Sequence, residues 1–547
     1  MNDNLPRWNM ESIYPSTESP EFLSDIDRAY ELMSSMHTIE DYDECVALVI
    51  TLSCWTEALL STDTENRAYV VADSKTQLLS SEWEKRSTEF LRHFDQELPE
   101  RYSFFLENLA VEKSHMMSEK EENLAASLSL SGARLWEKLQ MTLTSVMSSD
   151  GRTLTELRSD SSSPDRNVRK DSFHKEKELL SMHAVSVAAC LSGVKGTVLE
   201  LEKRRGWKDP LERSLFSSCM KKETLDSLMD AIRSSLPMFR RYLDWKARYL
   251  SEDRLSFCDL MAPVGKSGRY TYREAEKIVI DSFASFSPDM AQFAEKAYSS
   301  LWVDASPRRG KTGGAYDTFF PLRGESRIFL NFDSTYDGVS TLAHETGHAY
   351  HDSVIKDLPP SLSSYPMTLA ETASIFAERI VFEHERARTE GAEALFITEQ
   401  FVSSCCQVIV DIYSRFIFEK GAFELRKEGD LTVSDLSSLM VSAQKEAYGD
   451  LEEYHEYMWA VKSHYYSEDF SYYNYPYAFG ELFALSLASM KDEPGFAGKY
   501  RALLHSTGMK SVEDVALTAG IDISSPSFWK RGLDMIGDEI RRLEEWN

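Results

Sequence analysis

Positive charge is what this sequence most lacks. Its 61 Lys and Arg face 89 Asp and Glu, for a formal net charge of -28. So acidic a chain argues against nucleic acid and anionic membrane surfaces as main partners. Cysteine is scarce too. Cys45, Cys54, Cys190, Cys219, Cys258, Cys405 and Cys406 are odd in number and form no C-x-x-C, which speaks against a disulfide framework and suits a reducing compartment. The adjacent Cys405 and Cys406 read as ordinary buried thiols rather than a redox pair. Long apolar runs are missing: "CVALVITLSCW" (45–55) is too short to span a bilayer. The opening "MNDNLPRWNMESIYPSTESPEF" lacks the basic start and apolar run of a signal peptide. The expectation is a cytoplasmic protein with neither membrane nor nucleic acid as partner.

Glycine (24) and proline (17) are sparse among 547 residues, and alternating patterns are few. What the chain has instead is helical periodicity. "PEFLSDIDRAYELMSSM", "SEWEKRSTEFLRHFDQEL" and "KETLDSLMDAIRSSLPMFRRYLDWKARYL" repeat apolar residues at three- and four-residue spacings. The strongest strand signal is "SRIFLNF" (326–332). The Ser-rich "SSDGRTLTELRSDSSSPDR" (148–166) reads as a boundary or surface loop, and "KRRGWKDP" (203–210) as a second soft break. The expectation is a mainly α protein, with a helical N-terminal portion over 1–200 and a catalytic portion over 201–547.

Histidine is rare, 12 in all, yet three fall within "TLAHETGHAYH" (341–351). His344 and His348, four apart, share one helix face a turn from each other, close enough for both to bind one zinc. Glu345 follows the first of them. From there its carboxylate can approach a water at the metal's open position and act as general base. Gly347 costs a helix ~1 kcal/mol, which a close neighbouring backbone or a substrate would explain. A third ligand is still needed. His351 lies on the same face but too far along one helix to complete a tetrahedron, so it reads as a support or substrate contact. Metzincin spacing requires Gly at 351 and His at 354, where this chain has His351 and Val354. "PMTLAETASIFAERI" (366–380) offers more: Glu371, Ser374 and Glu378 form one stripe, with Glu371 as ligand and Glu378 or Ser374 orienting a ligand histidine. The rival reading of Glu371 is a capping box with Thr368.

"KSHYYSEDFSYYNYPYAFGELF" (462–483) carries six tyrosines behind His464. Phenol and imidazole donors suit a developing oxyanion, and an aromatic packing layer accounts for others of the set, with Tyr465, Tyr466 and Tyr477 assigned to it. "GKTGGAYD" (310–317) fails as a P-loop, because Ala305 stands where the pattern needs glycine and the loop precedes a strand.

"FLNFDSTYDGVSTLAHETGHAYH", "LAETASIFAE" and the His464 segment "YYNYPYAFG" together resemble the oligoendopeptidase F branch of the thimet-oligopeptidase family of zinc metallopeptidases. "RWNMESIYP" (7–15) and "DRNVRKDSF" (165–173) are similar to it as well. The resemblance implies a two-lobed helical zincin of gluzincin type, with a small β-sheet near the active site and a deep substrate channel. It implies oligopeptide substrates and one Zn2+ per chain. His344, His348 and Glu371 would be the ligands, Glu345 the base, and Glu378 and Ser374 their supports. His464, Tyr475 and Tyr472, with Tyr473 interchangeable with the last, would bind substrate and its oxyanion. Gly313, Gly314 and Ala315 would form a loop beside the substrate. Two other classes compete. A zinc carboxypeptidase would need an inward cation, for which Arg308, Arg309, Lys311 and Lys462 are candidates. A non-catalytic peptide binder of the same fold would be expected to have lost Glu345 or a ligand.

Overall fold

A computed structural model describes residues 5–546, and the chain is 70% helical. The fold is mainly α, in keeping with the periodicity. It divides into two compact units, each assembled from three separated stretches. The first takes the residues up to 113, 267–389 and 487–521; the second takes 114–266, 390–486 and the residues from 522. A linear division at residue 200 does not follow these units, because that position lies inside the helix Arg166–Arg205. The break expected at 203–210 is a turn: Gly206 ends that helix at φ 83°, and Asp209 caps the next helix, which opens on Pro210. The Ser-rich stretch contains a two-residue hairpin, Ser148–Ser149 with Arg152–Thr153, followed by the short helix Leu154–Ser159.

The first unit is built around a three-stranded sheet. Its central strand, Glu325–Phe329, runs parallel to Val303–Asp304 and antiparallel to Tyr316–Phe320, with Tyr316 opposite Phe329. The strand expected over 326–332 is therefore present, though shorter. One side of the sheet meets a core of Trp8, Tyr14, Phe22 and Trp55 around Phe320 and Phe329. The motif at 7–15 is bound to this sheet through its own backbone. Arg327, 1% exposed, donates to Asn9 O at 3.0 Å, Trp55 Nε1 donates to Met10 O at 3.1 Å, and Arg323 donates to Ile13 O at 2.9 Å. Of the three carbonyls, Met10 O also accepts from Ile13 N and Asn9 O from Ser12 Oγ, whereas Arg323 is what pairs Ile13 O.

The second unit packs Leu180, Val187 and Leu191 of the 40-residue helix Arg166–Arg205 against Phe418, Leu436, Met440 and Trp459. Lys195 and Glu419 form an ion pair at 2.6 Å inside it. A π-helical turn, Cys406–Asp411, joins the helices Gly391–Cys405 and Ile412–Glu428. None of the seven cysteines is in a disulfide among the described residues. Burial pushes the Cys406 thiol up to about 12, which keeps it an inert thiol.

The judgement that no apolar stretch is long enough for a bilayer needs correction. Ile39–Thr62, Arg166–Arg205 and Gly391–Glu428 are each long and apolar enough to cross one by length and composition. A predominantly apolar helical stretch of about 20 residues, which need not be an unbroken apolar run, sets that limit. About half of each apolar window is buried within the fold itself.

Candidate active site

The histidine helix, Tyr336–Ile355, begins just after the sheet. Thr335 caps it by accepting from Gly338 N, and Asp333 Oδ1 in turn accepts from the Thr335 amide (3.0 Å) and hydroxyl (2.7 Å). This helix lies against Thr372–Arg386, and the two meet at Gly347. A Cβ there would stand 2.6 Å from Ala373 O and 2.7 Å from Ser374 Cα. The costly glycine is thus explained by a close backbone neighbour, and the approach lets a carboxylate of the second helix reach both imidazoles.

His344 Nε2 and His348 Nε2 are 3.1 Å apart, and Glu371 Oε2 lies 3.3 Å from the first and 3.4 Å from the second. A tetrahedral ion with ligands at ~2.0–2.1 Å separates them by about 3.3–3.4 Å. These three residues form the one group of His, Cys, Asp and Glu that could hold a metal ion among the described residues. The donor set fits zinc in chemistry and in spacing. Glu371 stands at the N-cap position of Thr372–Arg386, after the short helix Met367–Ala370, and neither helix start has a side-chain cap hydrogen bond. The capping-box rival with Thr368 therefore fails.

Glu378 Oε1 accepts a hydrogen bond from His344 Nδ1 at 2.5 Å, leaving Nε2 free to face a metal, and Ser340 Oγ donates to Glu378 Oε2 at 3.0 Å. Ser374, one of two candidates to orient a histidine, donates instead to Glu371 Oε2 at 2.8 Å. It aims the candidate ligand carboxylate. Burial lowers the pKa of His344, but Glu378, Glu371 and Glu345 outweigh it and hold the ring well above its ordinary value. Burial raises Glu371, but hydrogen bonds from His344 and His348 outweigh it and hold the carboxyl far below the usual range. Such a cluster of imidazole and carboxylate favours a cation. Glu345 is 6% exposed, and burial raises its carboxyl pKa against the opposing pull of His344 and His348.

Three supporting residues escaped the sequence reading. Ser340 holds Glu378. Asp352, one turn beyond His348, and Asp317 form a buried pair in which both carboxyls are raised, first by burial. Ser326 Oγ donates to Asp352 at 2.9 Å and ties the helix to the sheet. Asp352 continues the i+4 stripe from His348, a signal the sequence did carry.

His351 is a correction. It is fully buried, stacked on Tyr365 at 4.4 Å, with Nε2 3.1 Å from Leu504 O and 3.0 Å from Thr507 Oγ1. It is a packing histidine facing the helix Phe496–His505, and no substrate contact. Burial lowers its pKa to about 3 from 6.5. On acidification the unfolded chain takes up the proton first. The stability His351 confers is therefore complete above about pH 6.5 and is lost toward about pH 3, by about 1.4 kcal/mol per pH unit. The urea midpoint of His351→Gln should fall less than that of the wild type between about pH 7 and 5. Parallel falls would contradict a buried neutral ring.

The glycine loop is exposed at Gly313 and Gly314, where an added Cβ meets nothing within 4 Å, with Ala315 half-buried beside them. Asn331 Nδ2 donates to Thr312 O at 2.9 Å and holds the loop to the strand end. The cations around it are already engaged. Arg308 binds Asp304 through two bonds at 2.7 and 2.9 Å, buried Lys311 binds the same Asp304 at 2.7 Å, and exposed Arg309 pairs with Glu65.

The tyrosine cluster belongs to the second unit. His464 Nδ1 faces Asn474 Oδ1 at 3.2 Å, and its half-buried ring packs on Tyr473 at 4.6 Å. Tyr475 departs from expectation. It is fully buried, donates to Ser218 Oγ at 2.9 Å and accepts from Ser214 Oγ at 3.2 Å, and burial pushes its hydroxyl up to about 12. Tyr472, at φ 56°, is packed between Phe416 and Phe423. Of the two interchangeable tyrosines, Tyr473 is the accessible one. Tyr465 and Tyr466 are buried, and half-buried Tyr477 donates to Tyr473 OH at 3.4 Å.

Comparison with known proteins joins this site to a class. The family model described as "Peptidase family M3" matches residues 161–535, and one described as "Oligopeptidase F" matches 87–148. The first covers well over half of the chain, which therefore belongs to peptidase family M3 and is a metallo-endopeptidase. Oligopeptidase PepF of Bacillus subtilis is 25% identical over 505 residues, 88% of this chain and 75% of its own length. The plasmid oligoendopeptidase F of Lactococcus lactis subsp. cremoris is 24% identical over 81% of this chain and 76% of its own. In fold, the crystal structure of oligoendopeptidase-F from Enterococcus faecium matches with a TM-score of 0.67 at 18% identity, covering 96% of this chain and 97% of that one. A Chlamydophila abortus protein matches with a TM-score of 0.87 at 19% identity, over 98% of both chains.

Proposed function

We propose that this protein is a zinc-dependent, cytoplasmic oligoendopeptidase that cuts internal bonds of short peptides. The observation that carries the reading is the triangle of His344 Nε2, His348 Nε2 and Glu371 Oε2, with edges of 3.1–3.4 Å and Glu345 beside it. Bound by these three residues, zinc would supply Lewis-acid polarisation of the peptide carbonyl and lower the pKa of a coordinated water to about 7. Glu345 takes the proton of the attacking water. Its burial, which raises the carboxyl pKa, makes it able to return that proton to the leaving amine as the C–N bond breaks. Glu378 and Ser374 keep His344 and Glu371 aimed throughout. The limit to short substrates is carried by family membership alone.

The carboxypeptidase alternative loses three of its four candidate cations, because Arg308 and Lys311 are neutralised by Asp304 and Arg309 sits on the surface, and the fourth, Lys462, lines a separate cavity of the second unit. Retention of Glu345 speaks against a non-catalytic binder. The deciding experiment is mass-spectrometric product analysis on end-blocked peptides, from pentamers to a small folded protein. Internal cleavage that fades with length, stops on chelation and returns with zinc is the expected result. Trimming confined to unblocked C-termini would make the enzyme a carboxypeptidase, and no cleavage by zinc-loaded protein would make it a binder.

A further inference from the structure

The second unit contains a cavity of about 300 Å³ that none of this chemistry uses. Phe173, Leu243, Phe257 and Met458 give it an apolar wall. Arg158, Arg169, Arg415 and Lys462 give it a cationic one, with Glu176 and Asp411 between them. The π-helical turn Cys406–Asp411 supplies part of the lining, and such turns are frequent at functional sites.

The charges do not balance. Arg158 pairs with Glu176, Arg169 with Asp259 at 3.0 Å, and Arg415 with Asp411. That leaves Lys462, whose ammonium has no hydrogen-bonded or ion-paired partner among the described residues. Two further polar atoms around the cavity are buried without partners: Arg415 Nε and His455 Nδ1, the latter on a side chain 1% exposed. Lys462 is half-buried, and a cation drawn part-way out of water without a partner is costly. Burial brings Lys462 down to about 8, and Asp411 restores only part of the loss. One negative group seated by Lys462 and Arg415 would satisfy both. Phosphate would leave the apolar wall without a partner; an organic anion would cover it.

We propose that this cavity is a binding site for a small organic carboxylate with an apolar body, its carboxylate held by Lys462 and Arg415. Occupancy would be felt nearby, because Arg415 also donates to Asn474 Oδ1 at 3.1 Å, the atom that faces His464 Nδ1.

The test is a fluorine-NMR titration of the intact enzyme with 4-fluorobenzoate and, as the neutral isostere, 4-fluorobenzamide. The acid should bind at least about tenfold more tightly than the amide, and Lys462→Met should weaken the acid by a similar factor. Binding should persist in His348→Ala, which removes a metal ligand. The ring resonances of His455 should move while those of His344 and His348 do not. Equal affinity for acid and amide, or binding lost with His348 and indifferent to Lys462, would overturn the assignment. The acid–amide comparison needs no variant, so misfolding of Lys462→Met cannot mask the outcome.

Discussion

Glu345→Gln should retain zinc, fold and peptide affinity while losing about 10²–10⁴-fold in kcat, the usual contribution of a positioned general base. Glutamine preserves the size and hydrogen-bonding reach of the side chain but cannot take a proton from water or return it to an amine. Because Glu345 lies outside the triangle of metal donors, its neutral isostere leaves those donors in place. The change should also lighten the crowded charge of the site, where Glu371 and Glu378 both act on Glu345 and raise its pKa. Folding stability should therefore hold or rise. The measurement pairs single-turnover kinetics on an end-blocked peptide with zinc stoichiometry by atomic emission. A variant retaining more than about a tenth of wild-type kcat would remove Glu345 from the base role. Loss of zinc in step with activity would make it a ligand, a result incompatible with the mechanism.

The candidate metal donors were readable because their geometry is local. His344 and His348 are one helical turn apart, so the sequence spacing is itself the distance constraint. Glu371 required only that a second helix lie against the first, and Gly347 already marked where it must. The tyrosines were harder for a physical reason. Tyr475 begins the helix Tyr475–Ala488, and the direction of its hydroxyl is set by Ser214 and Ser218, distant in sequence and brought close only by tertiary packing. His351 misled in a similar way. Its period-correct position said which face it occupied but not that Phe496–His505 covers that face. The compact units were unreadable from punctuation because the chain leaves and re-enters each of them, and a turn such as Gly206–Pro210 ends a helix without ending a unit. The π-helical turn at Cys406 leaves no compositional trace, since its residues differ from helix only in one extra residue per turn.

Gly347→Ala gives the sharpest test of how the site is built, because it should act against helix propensity. In an open helix the change stabilises by ~1 kcal/mol. Gly498, in the helix Phe496–His505, is such a place, with nothing within 4 Å of an added Cβ, and Gly498→Ala should raise the melting temperature. At Gly347 the added methyl would fall 2.6 Å from Ala373 O, 2.7 Å from Ser374 Cα and 3.0 Å from Ala373 C. All three are backbone atoms of the facing helix, so no flexible side-chain tip can yield. Either the two helices separate or the histidine helix bends. Overpacking of this kind costs about 1–3 kcal/mol even after relaxation, so the net change should be destabilising despite the propensity gain. The same displacement moves Glu371 and Glu378 away from His344 and His348, since one helix carries the imidazoles and the other starts at Glu371 and carries Glu378. Zinc affinity should therefore fall by about tenfold or more, and the variant should lose more melting temperature in the zinc-loaded form than after chelation. Equal losses with and without zinc would mean that the contact supports the fold alone. A stabilised Gly347→Ala would mean that the helices do not approach as closely as 2.6 Å, and the account of how Glu371 reaches the histidines would fall with it.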